Sequence, residues 1–351
     1  MKVLFLSPDG TTCYGKISMC IKTTVLIHLI TTWFICWLVA GSPQPLAAQE
    51  PPDLSVMAWN IWHGGREDGE QIGPQKVIQI IRDSQVDLVA MQETYGSGEL
   101  ISEALQFHFH PRGTNVSIHS RWPVVEDLSV FEPFKCVGAL IELPDKRRVA
   151  FYSIWLPYNN DVWVDGSRDP NDVEKMLQAC EASRADLQTI KQQIHERLDQ
   201  PQYADVPIII AGDFNSMSHR DYIESATDQY GVVVDWPTSH VLADEGYRDA
   251  WRETRPEVDR TADRTWSPRF TEQEQDRIDF VYYRGGGLQA TDSQRIDSYQ
   301  DGFPSDHAAV VTRFDWPPIT AENQLRTVTY NIRHGLGTDD RLDLDRAAEV
   351  L

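Results

Sequence analysis

The sequence has few cysteines, and this scarcity excludes some kinds of site. Of the five cysteines, only Cys136 and Cys180 lie beyond residue 48. The chain has no Cys-x-x-Cys pattern, which argues against a cysteine-ligated zinc site. Two cysteines allow one disulfide in an exported protein but do not establish it. Cys136 lies in a strand-like stretch and Cys180 in a helix-like one, so we favour two buried free thiols.

Basic residues are also scarce. The chain has 32 Lys and Arg against 53 Asp and Glu, a formal net charge of -21 at pH 7. Binding to nucleic acid without sequence preference relies on Lys and Arg that neutralise phosphates. The balance therefore disfavours a nuclease that slides along DNA, although a metal and a local basic patch can still bind a phosphate.

One apolar run, from Val25 to Ala40, stands out near the N-terminus. Lys16 and Lys22 precede it, and small or turn-forming residues follow, as in a secretory signal. The run is short for a membrane span, which needs about 20 apolar residues. We expect residues 1–48 to be a signal peptide cleaved between Gly41 and Gln49, so that the protein is secreted or periplasmic. An uncleaved N-terminal anchor is the alternative.

Polar residues end or adjoin five strand-like runs in the remainder of the chain. The runs and their polar residues are Leu54–Asn60, Asp87–Glu93, Val206–Asp213 followed by Phe214-Asn215, Gln275–Tyr283 with Asp279, and Ser305-Asp306-His307 before a closing strand. Carboxylate, amide and imidazole groups can hold a divalent metal and deliver water to a phosphate. Strands connected by helices in some places and by hairpins in others predict mixed sheets covered by helices.

These residues, in this order, resemble the endonuclease/exonuclease/phosphatase superfamily of metal-dependent phosphoesterases. The resemblance runs from about Leu54 to Phe314, and it assigns residues 49–316 to one such domain. It implies an α/β fold built as a four-layer α/β/β/α sandwich of two mixed sheets flanked by helices. The site would lie where strand ends and loops converge at one edge of the two sheets.

The resemblance also implies a metal site. Glu93 would be the leading ligand, and Asn60 and Asp306 would support the metal directly or through water. Hard cations prefer oxygen ligands, so the expected cofactor is Mg²⁺, with Mn²⁺ or Ca²⁺ as alternatives.

The catalytic residues implied by the resemblance are Asp213, Asn215, Asp279 and His307. His307 would take a proton from water or hold the scissile phosphate, and Asp279 would orient its imidazole. Asp213 and Asn215 would orient the water and bind phosphate oxygens.

The sequence departs from the family pattern at one strand end. Trp155 stands where many members have a histidine, which leaves a second donor at the site in doubt. Tyr158 or Asn159 could reach the site instead. His63 is compatible with a substrate contact and equally with a role in shaping the turn formed with Gly64.

An internal repeat follows the domain. Residues 325–335 repeat the pattern of residues 54–64, with Leu, Asn, Ile, His and Gly coinciding without a gap. We expect residues 317–324 to be a linker and residues 325–351 to be the beginning of a second, truncated domain of the same kind.

The function that the sequence favours is exported, metal-dependent hydrolysis of a phosphodiester or phosphomonoester. The expected substrate is a small-molecule or lipid-derived phosphate ester, and no obligate protein partner is inferred. One alternative is an exported nuclease on DNA or RNA, which the acidic charge disfavours. Another is a non-catalytic binding module, which the complete residue set disfavours.

Overall fold

The computed structural model describes residues 54–158, 162 and 168–317. The expectations for the leader, for Asn159 and for the second domain copy therefore lie outside the described residues, as does nearly all of the expected linker. Within the part that is described, no helix combines the length and apolar character needed to cross a membrane.

Twelve strands in the described ranges form two six-stranded sheets. In chain order they are β1 Leu54–Asn60, β2 Leu88–Gln92, β3 His108–Arg112, β4 Val116–Ser120, β5 Val124–Asp127, β6 Cys136–Glu142, β7 Arg148–Trp155, β8 Ile208–Asp213, β9 Arg248–Asp249, β10 Asp279–Arg284, β11 Gln289–Ile296 and β12 Ala309–Asp315. The first sheet has the order β11-β12-β1-β2-β4-β3, and the second has the order β5-β6-β7-β8-β10-β9.

The α-helices of the same ranges vary from single turns to 18 residues. They are α1 Trp62–Gly65, α2 Ile72–Ser84, α3 Gly98–Leu105, α4 Val173–Ala179, α5 Glu181–Leu198, α6 Thr227–Tyr230, α7 Pro237–Ala243, α8 Ala250–Thr254 and α9 Arg260–Asp263, with 3₁₀ turns at Pro201–Tyr203 and Glu224–Ala226.

Three apolar cores hold four layers together. Between the two sheets, Val56 and Ala90 of the first sheet lie in one apolar cluster with Phe151 and Ile209 of the second sheet. On the outer face of the first sheet, α2 contributes Val77 and other residues at helical spacing. On the outer face of the second sheet, α5 contributes residues such as Leu187, Ile190 and Ile194. The layers are helix, sheet, sheet, helix, which confirms the expected α/β/β/α sandwich.

Strand direction brings the polar strand ends to one edge. β1 and β2 run parallel, as do β7 and β8, so Asn60, Glu93, Trp155 and Asp213 lie at the same end of their sheets. β10 runs antiparallel to β8, and β12 runs antiparallel to β1. Both strands therefore begin at that edge, β10 at Asp279 and β12 just after His307. The two sheets then face each other with their polar ends together.

Candidate active site

Asn60 joins the polar ends of the two sheets. Its side-chain Nδ2 donates to Oε1 of Glu93 at 3.2 Å and to Oδ2 of Asp213 at 3.1 Å. Its Oδ1 accepts from the backbone N–H of Trp62 at 3.0 Å. The residue is fully buried, so these bonds satisfy a polar group that would otherwise be costly to bury.

Glu93 is held in a strained backbone conformation just after β2. Its φ is 54°, a region that non-glycine residues rarely adopt. Its N–H donates to Oδ1 of Asn115 at 2.9 Å, and its Oε2 accepts from the N–H of His63 at 3.0 Å. Such strain persists where surrounding contacts hold it, often at functional sites. The supporting role of Asn115 was not foreseen from the sequence, because Asn115 lies in the turn between β3 and β4 and meets Glu93 only in the folded structure.

The turn after β8 places Asp213 beside Asn215. Oδ1 of Asp213 accepts from the N–H of Asn215 at 2.9 Å, and Oδ2 accepts from Nδ2 of Asn215 at 3.0 Å. Gly212 precedes them with a φ of 147°, and a Cβ there would lie 2.1 Å from the carbonyl oxygen of Ile154. Only glycine fits at this close approach of two strands.

His307 and Asp279 form a buried pair facing this turn. Nδ1 of His307 lies 2.9 Å from Oδ2 of Asp279, and its Nε2 lies 3.8 Å from Oδ2 of Asp213. The N–H of Asp279 donates to Oγ1 of Thr265 at 3.1 Å. Asp279 thus orients the ring so that the second nitrogen points at Asp213.

Ser305 connects the His307 turn to the end of β1. Its hydroxyl donates to the carbonyl oxygen of Asn60 at 2.6 Å and accepts from the N–H of His307 at 3.0 Å. The indole N–H of Trp59 donates to the carbonyl oxygen of His307 at 3.0 Å. The Ser-Asp-His motif marked Ser305, but its bond to Asn60 depends on the pairing of β1 with β12.

Burial and neighbouring charges shift the pKa values of the site residues. Burial raises the pKa of Asp213 to about 7, against the opposing positive charge of His307. Burial alone would lower the pKa of His307, but the carboxylates of Asp279 and Asp213 outweigh it and raise that pKa well above its ordinary value. His307 is therefore a cation at neutral pH, while Asp213 titrates close to neutrality.

Asp306 has a feature that suits a cation ligand. Its Oδ1 is buried and makes no hydrogen bond to any described residue. Burial raises its pKa to about 6, and the charge of Glu93 adds to this rise while His307 opposes it. Two neighbouring carboxylates with an unpartnered oxygen are a donor set that a hard divalent cation would satisfy.

A second group could also hold an ion by distance alone. Ligand atoms of Asp213, Asp279 and His307 lie within 4.8 Å of one another. However, Asp279 already accepts a hydrogen bond from His307, and Asp213 accepts several from Asn60 and Asn215. These oxygens are satisfied without a metal, whereas Oδ1 of Asp306 is not, so Asp306 offers the better ligand for a cation. The assignment of Asn60 and Glu93 as further ligands stays a prediction from the sequence.

The four further substrate-contact candidates differ in position. Trp155 pairs in register with Asp213 and is half-buried, and Tyr158 lies three residues on with its side chain exposed. His63 does shape its turn, with a φ of 49°. Its Nδ1 lies 2.7 Å from Oε1 of Glu67, and its Nε2 lies 3.9 Å from Oε2 of Glu93. Asn159 is outside the described residues.

One expectation about residues away from the site is confirmed. Cys136 and Cys180 are both buried and free. His119 is packed inside the first sheet, with ring nitrogens 2.6 Å from Oγ of Ser102 and 3.0 Å from Oγ of Ser117.

Comparisons with known proteins agree with this architecture. A sequence model of the endonuclease/exonuclease/phosphatase family matches residues 57–307. The uncharacterized protein F14F9.5 of Caenorhabditis elegans is 27% identical over 318 residues, which cover 80% of this chain and 98% of that protein.

Solved structures share the fold at low identity. A functionally unknown conserved protein from Enterococcus faecalis V583 has a TM-score of 0.52 at 15% identity, covering 75% of this chain and 100% of the other. A humanized D. rerio TDP2 has a TM-score of 0.51 at 16% identity, covering 75% of this chain and 98% of the TDP2 chain. The human Nocturnin catalytic domain with bound sulfate has a TM-score of 0.51 at 16% identity, covering 76% of this chain and 94% of the Nocturnin chain.

Fold and site together define a four-layer α/β/β/α protein with a polar site at one edge of its two sheets. The chain belongs to the endonuclease/exonuclease/phosphatase family. Members of this family are hydrolases that act on phosphoester bonds, and they typically depend on a divalent metal.

Proposed function

We propose that this protein is a divalent-metal-dependent phosphoesterase that hydrolyses a small phosphodiester or phosphomonoester by in-line attack of water. The observation that carries the proposal is the His307–Asp279 pair, which is buried and directed at Asp213 beside the Asn60–Glu93 pair. These are the groups that water activation and phosphate binding require.

Two of these side chains have complementary roles in this proposal. Asp213 takes the proton of the attacking water, because its pKa near 7 lets it accept a proton at neutral pH. His307 binds a phosphoryl oxygen, because its raised pKa keeps it charged and unable to accept a further proton. Of the two roles that the sequence left open for His307, the electrostatics thus favour holding the phosphate.

The remaining groups position the reactants. Nδ2 of Asn215 and of Asn60 both contact Asp213, and so fix the direction of its carboxylate. In the reaction the water oxygen bonds to phosphorus, the phosphorus–oxygen bond to the leaving alcohol breaks, and that oxygen acquires a proton from solvent. A divalent cation held by Asn60, Glu93 and Asp306 would polarise the phosphoryl oxygens and stabilise the charge on the leaving oxygen.

Export of the protein is part of the proposal and rests on the sequence alone. The apolar run from Val25 to Ala40, with lysines before it and small residues after it, supports secretion or periplasmic targeting. N-terminal sequencing of protein from the extracellular or periplasmic fraction should find a start between residues 41 and 49. A soluble cytoplasmic protein with residues 1–48 intact would contradict this part of the proposal.

Two substitutions test the catalytic roles. With bis(p-nitrophenyl) phosphate and Mg²⁺, Asp213→Asn and His307→Ala should each lower kcat by a factor of about 10² or more. The matched control is His240→Ala, since His240 pairs with Asp235 at 2.6 Å on the exposed surface. Turnover near that of the wild type in either site variant would refute the assigned role.

A further inference from the structure

Aromatic side chains lie on both sides of the candidate active site. We refer to six of them as the aromatic rim: Trp62, Tyr95, Phe134, Trp155, Tyr158 and Phe270.

On one side, aromatic rings lead outward from His307. The ring of Trp266 lies 5.0 Å from that of His307, and Phe270 lies 5.8 Å from Trp266. Trp62 follows, 5.6 Å from Phe270 with an interplanar angle of 79°. These separations are in the range of favourable aromatic pairs, so each ring holds the next in place.

On the other side, Trp155 carries two rings set edge to face. Phe134 lies 5.5 Å from it at 87°, and Tyr158 lies 6.3 Å from it at 83°. Trp155 pairs in register with Asp213, which places this group at the site. Phe134 is 39% exposed and Tyr158 is 54% exposed, so both present apolar surface to an incoming molecule.

Tyr95 adds a further ring to the first group. Its ring is 6.1 Å from that of His63, and its backbone follows Glu93 by two residues. Because the ring of His63 also lies 5.9 Å from that of Trp62, Tyr95 is linked to the first group of rings and lies beside Glu93.

The cations that touch the rim already have acidic partners. Arg269 lies 5.4 Å over the ring of Trp62 and pairs with Asp68 at 2.5 Å. Arg66 donates to the carbonyl oxygen of Tyr95 at 2.6 Å and lies 3.8 Å from Glu70. A polynucleotide needs free Lys and Arg for its successive phosphates, and these two residues do not supply them.

We propose that the aromatic rim binds a planar aromatic group attached to the scissile phosphate, so that the substrate class is a small nucleoside or aryl phosphoester with a single phosphate. This inference rests on the proposed function and narrows its substrate. A planar ring gains binding free energy by stacking on aromatic side chains, whereas a methyl group has no ring that could stack.

The test compares esters with one leaving group and different retained groups. The substrates are the methyl esters of thymidine 5′-phosphate, methyl phosphate and phosphorylcholine, each assayed with Mg²⁺ by the release of methanol, so that the leaving group carries no ring. Wild-type kcat/KM should be highest for the thymidine ester. Phe134→Ala and Tyr158→Ala should each reduce the thymidine-to-methyl ratio of kcat/KM about 10-fold, the loss of one stacking partner.

Two control variants sharpen this comparison. Tyr158→Phe keeps the ring and should preserve the ratio. Val125→Ala removes another exposed apolar side chain, from β5 at the opposite end of the second sheet, and should also preserve it. The proposal would be overturned if the thymidine-to-methyl ratio of kcat/KM were near one in the wild type. It would also be overturned if that ratio were unchanged in both Phe134→Ala and Tyr158→Ala. A preference for the choline ester would overturn it too, because the rim would then bind a cation through its ring faces.

A binding measurement separates this inference from the proposed function. Calorimetry with Ca²⁺ should show that thymidine 5′-monophosphate binds more tightly than methyl phosphate, and that Phe134→Ala weakens the former about 10-fold. If no ester is hydrolysed but this binding pattern holds, the proposed function fails and the aromatic rim stands. If esters are hydrolysed but both phosphates bind equally, the rim proposal fails alone.

Discussion

Nδ1 of His307 lies 2.9 Å from Oδ2 of Asp279, and both side chains are buried where the two sheets meet. Asp279 begins β10 of the second sheet, and His307 precedes β12 of the first. The pair therefore joins the two halves of the sandwich at the point where chemistry is expected.

The charge of Asp279 should matter more than its shape. Asp279→Asn keeps the size of the side chain but removes the largest of the charge effects that raise the pKa of His307. We expect kcat to fall by a factor of about 10² to 10³, as for the loss of one charge-stabilising donor to the phosphoryl group, with little change in the far-UV spectrum.

An Asp–His pair outside the site provides the control. Asp235→Asn removes the carboxylate 2.6 Å from Nε2 of the partly exposed His240, and it should leave kcat unchanged. Equal losses of kcat in the two variants would show that the Asp279 effect is not specific to the site.

Buried His119 should make the protein less stable in acid. Burial lowers its pKa to about 3 in the folded protein, from an ordinary value of 6.5. Below pH 6.5 the unfolded chain binds a proton that the folded protein does not, so stability falls as the pH drops towards 3. The expected loss is about 1.4 kcal/mol per pH unit within that window.

Urea unfolding at pH 7.5, 6 and 5 checks this dependence. The variant His119→Gln should be less stable overall but should lose less of its free energy of unfolding between pH 6 and pH 5 than the wild type. Parallel losses in the two proteins would mean that His119 does not carry the acid sensitivity.

Gly212 should be required for the close approach of β8 to β7. Gly212→Ala would place a Cβ 2.1 Å from the carbonyl oxygen of Ile154, at a φ of 147° that disfavours other residues. We expect the free energy of unfolding to fall by about 3 kcal/mol or more, combining backbone strain with the displacement of a neighbouring strand.

A second glycine with a positive φ, but with open space around it, separates these two effects. Gly246 has a φ of 80°, and a Cβ there meets no atom within 4 Å. Gly246→Ala should cost only about 1 kcal/mol. If the two variants lose equal stability in thermal unfolding, the close contact at Gly212 is not what makes glycine necessary there.

The parts of the fold predicted from sequence are those with a strong pattern of their own. Leu54–Asn60 was predicted as a strand and is β1. β6 and β7 form an antiparallel hairpin, and the turn between them is visible in the sequence as a charged segment that begins with a proline. The apolar residues Val77, Ile78 and Ile81 recur at helical spacing in the sequence, and all three are buried in α2. In each case the residues that define the element also provide the contacts that stabilise it.

Elements whose stability comes from a neighbour were harder to predict. β11, Gln289–Ile296, is a polar edge strand, and only its pairing with β12 makes it part of the sheet. Residues 173–198 are helical except at Cys180, whose backbone is not helical and divides them into α4 and α5.

The residues of the candidate site were likewise predictable only in part. The Gly-Asp-Phe-Asn and Ser-Asp-His motifs pointed to Asp213 and His307, because their residue types and positions after strands are visible in the sequence. The support of Glu93 by Asn115 and the grouping of Phe134 with Trp155 depend on turn residues that meet a strand end only in the folded protein. Periodicity cannot reveal such contacts.

The most direct test of the account is a substrate panel assayed with Mg²⁺ and with excess chelator. The panel should contain a simple phosphodiester, a phosphomonoester, a phospholipid, DNA and RNA, with Asp213→Asn as the inactive reference. We predict Mg²⁺-dependent hydrolysis of a small phosphoester, abolished by chelator and by the substitution, and faster than hydrolysis of either nucleic acid. Full activity in excess chelator, or no hydrolysis of any substrate by the metal-loaded protein, would contradict it.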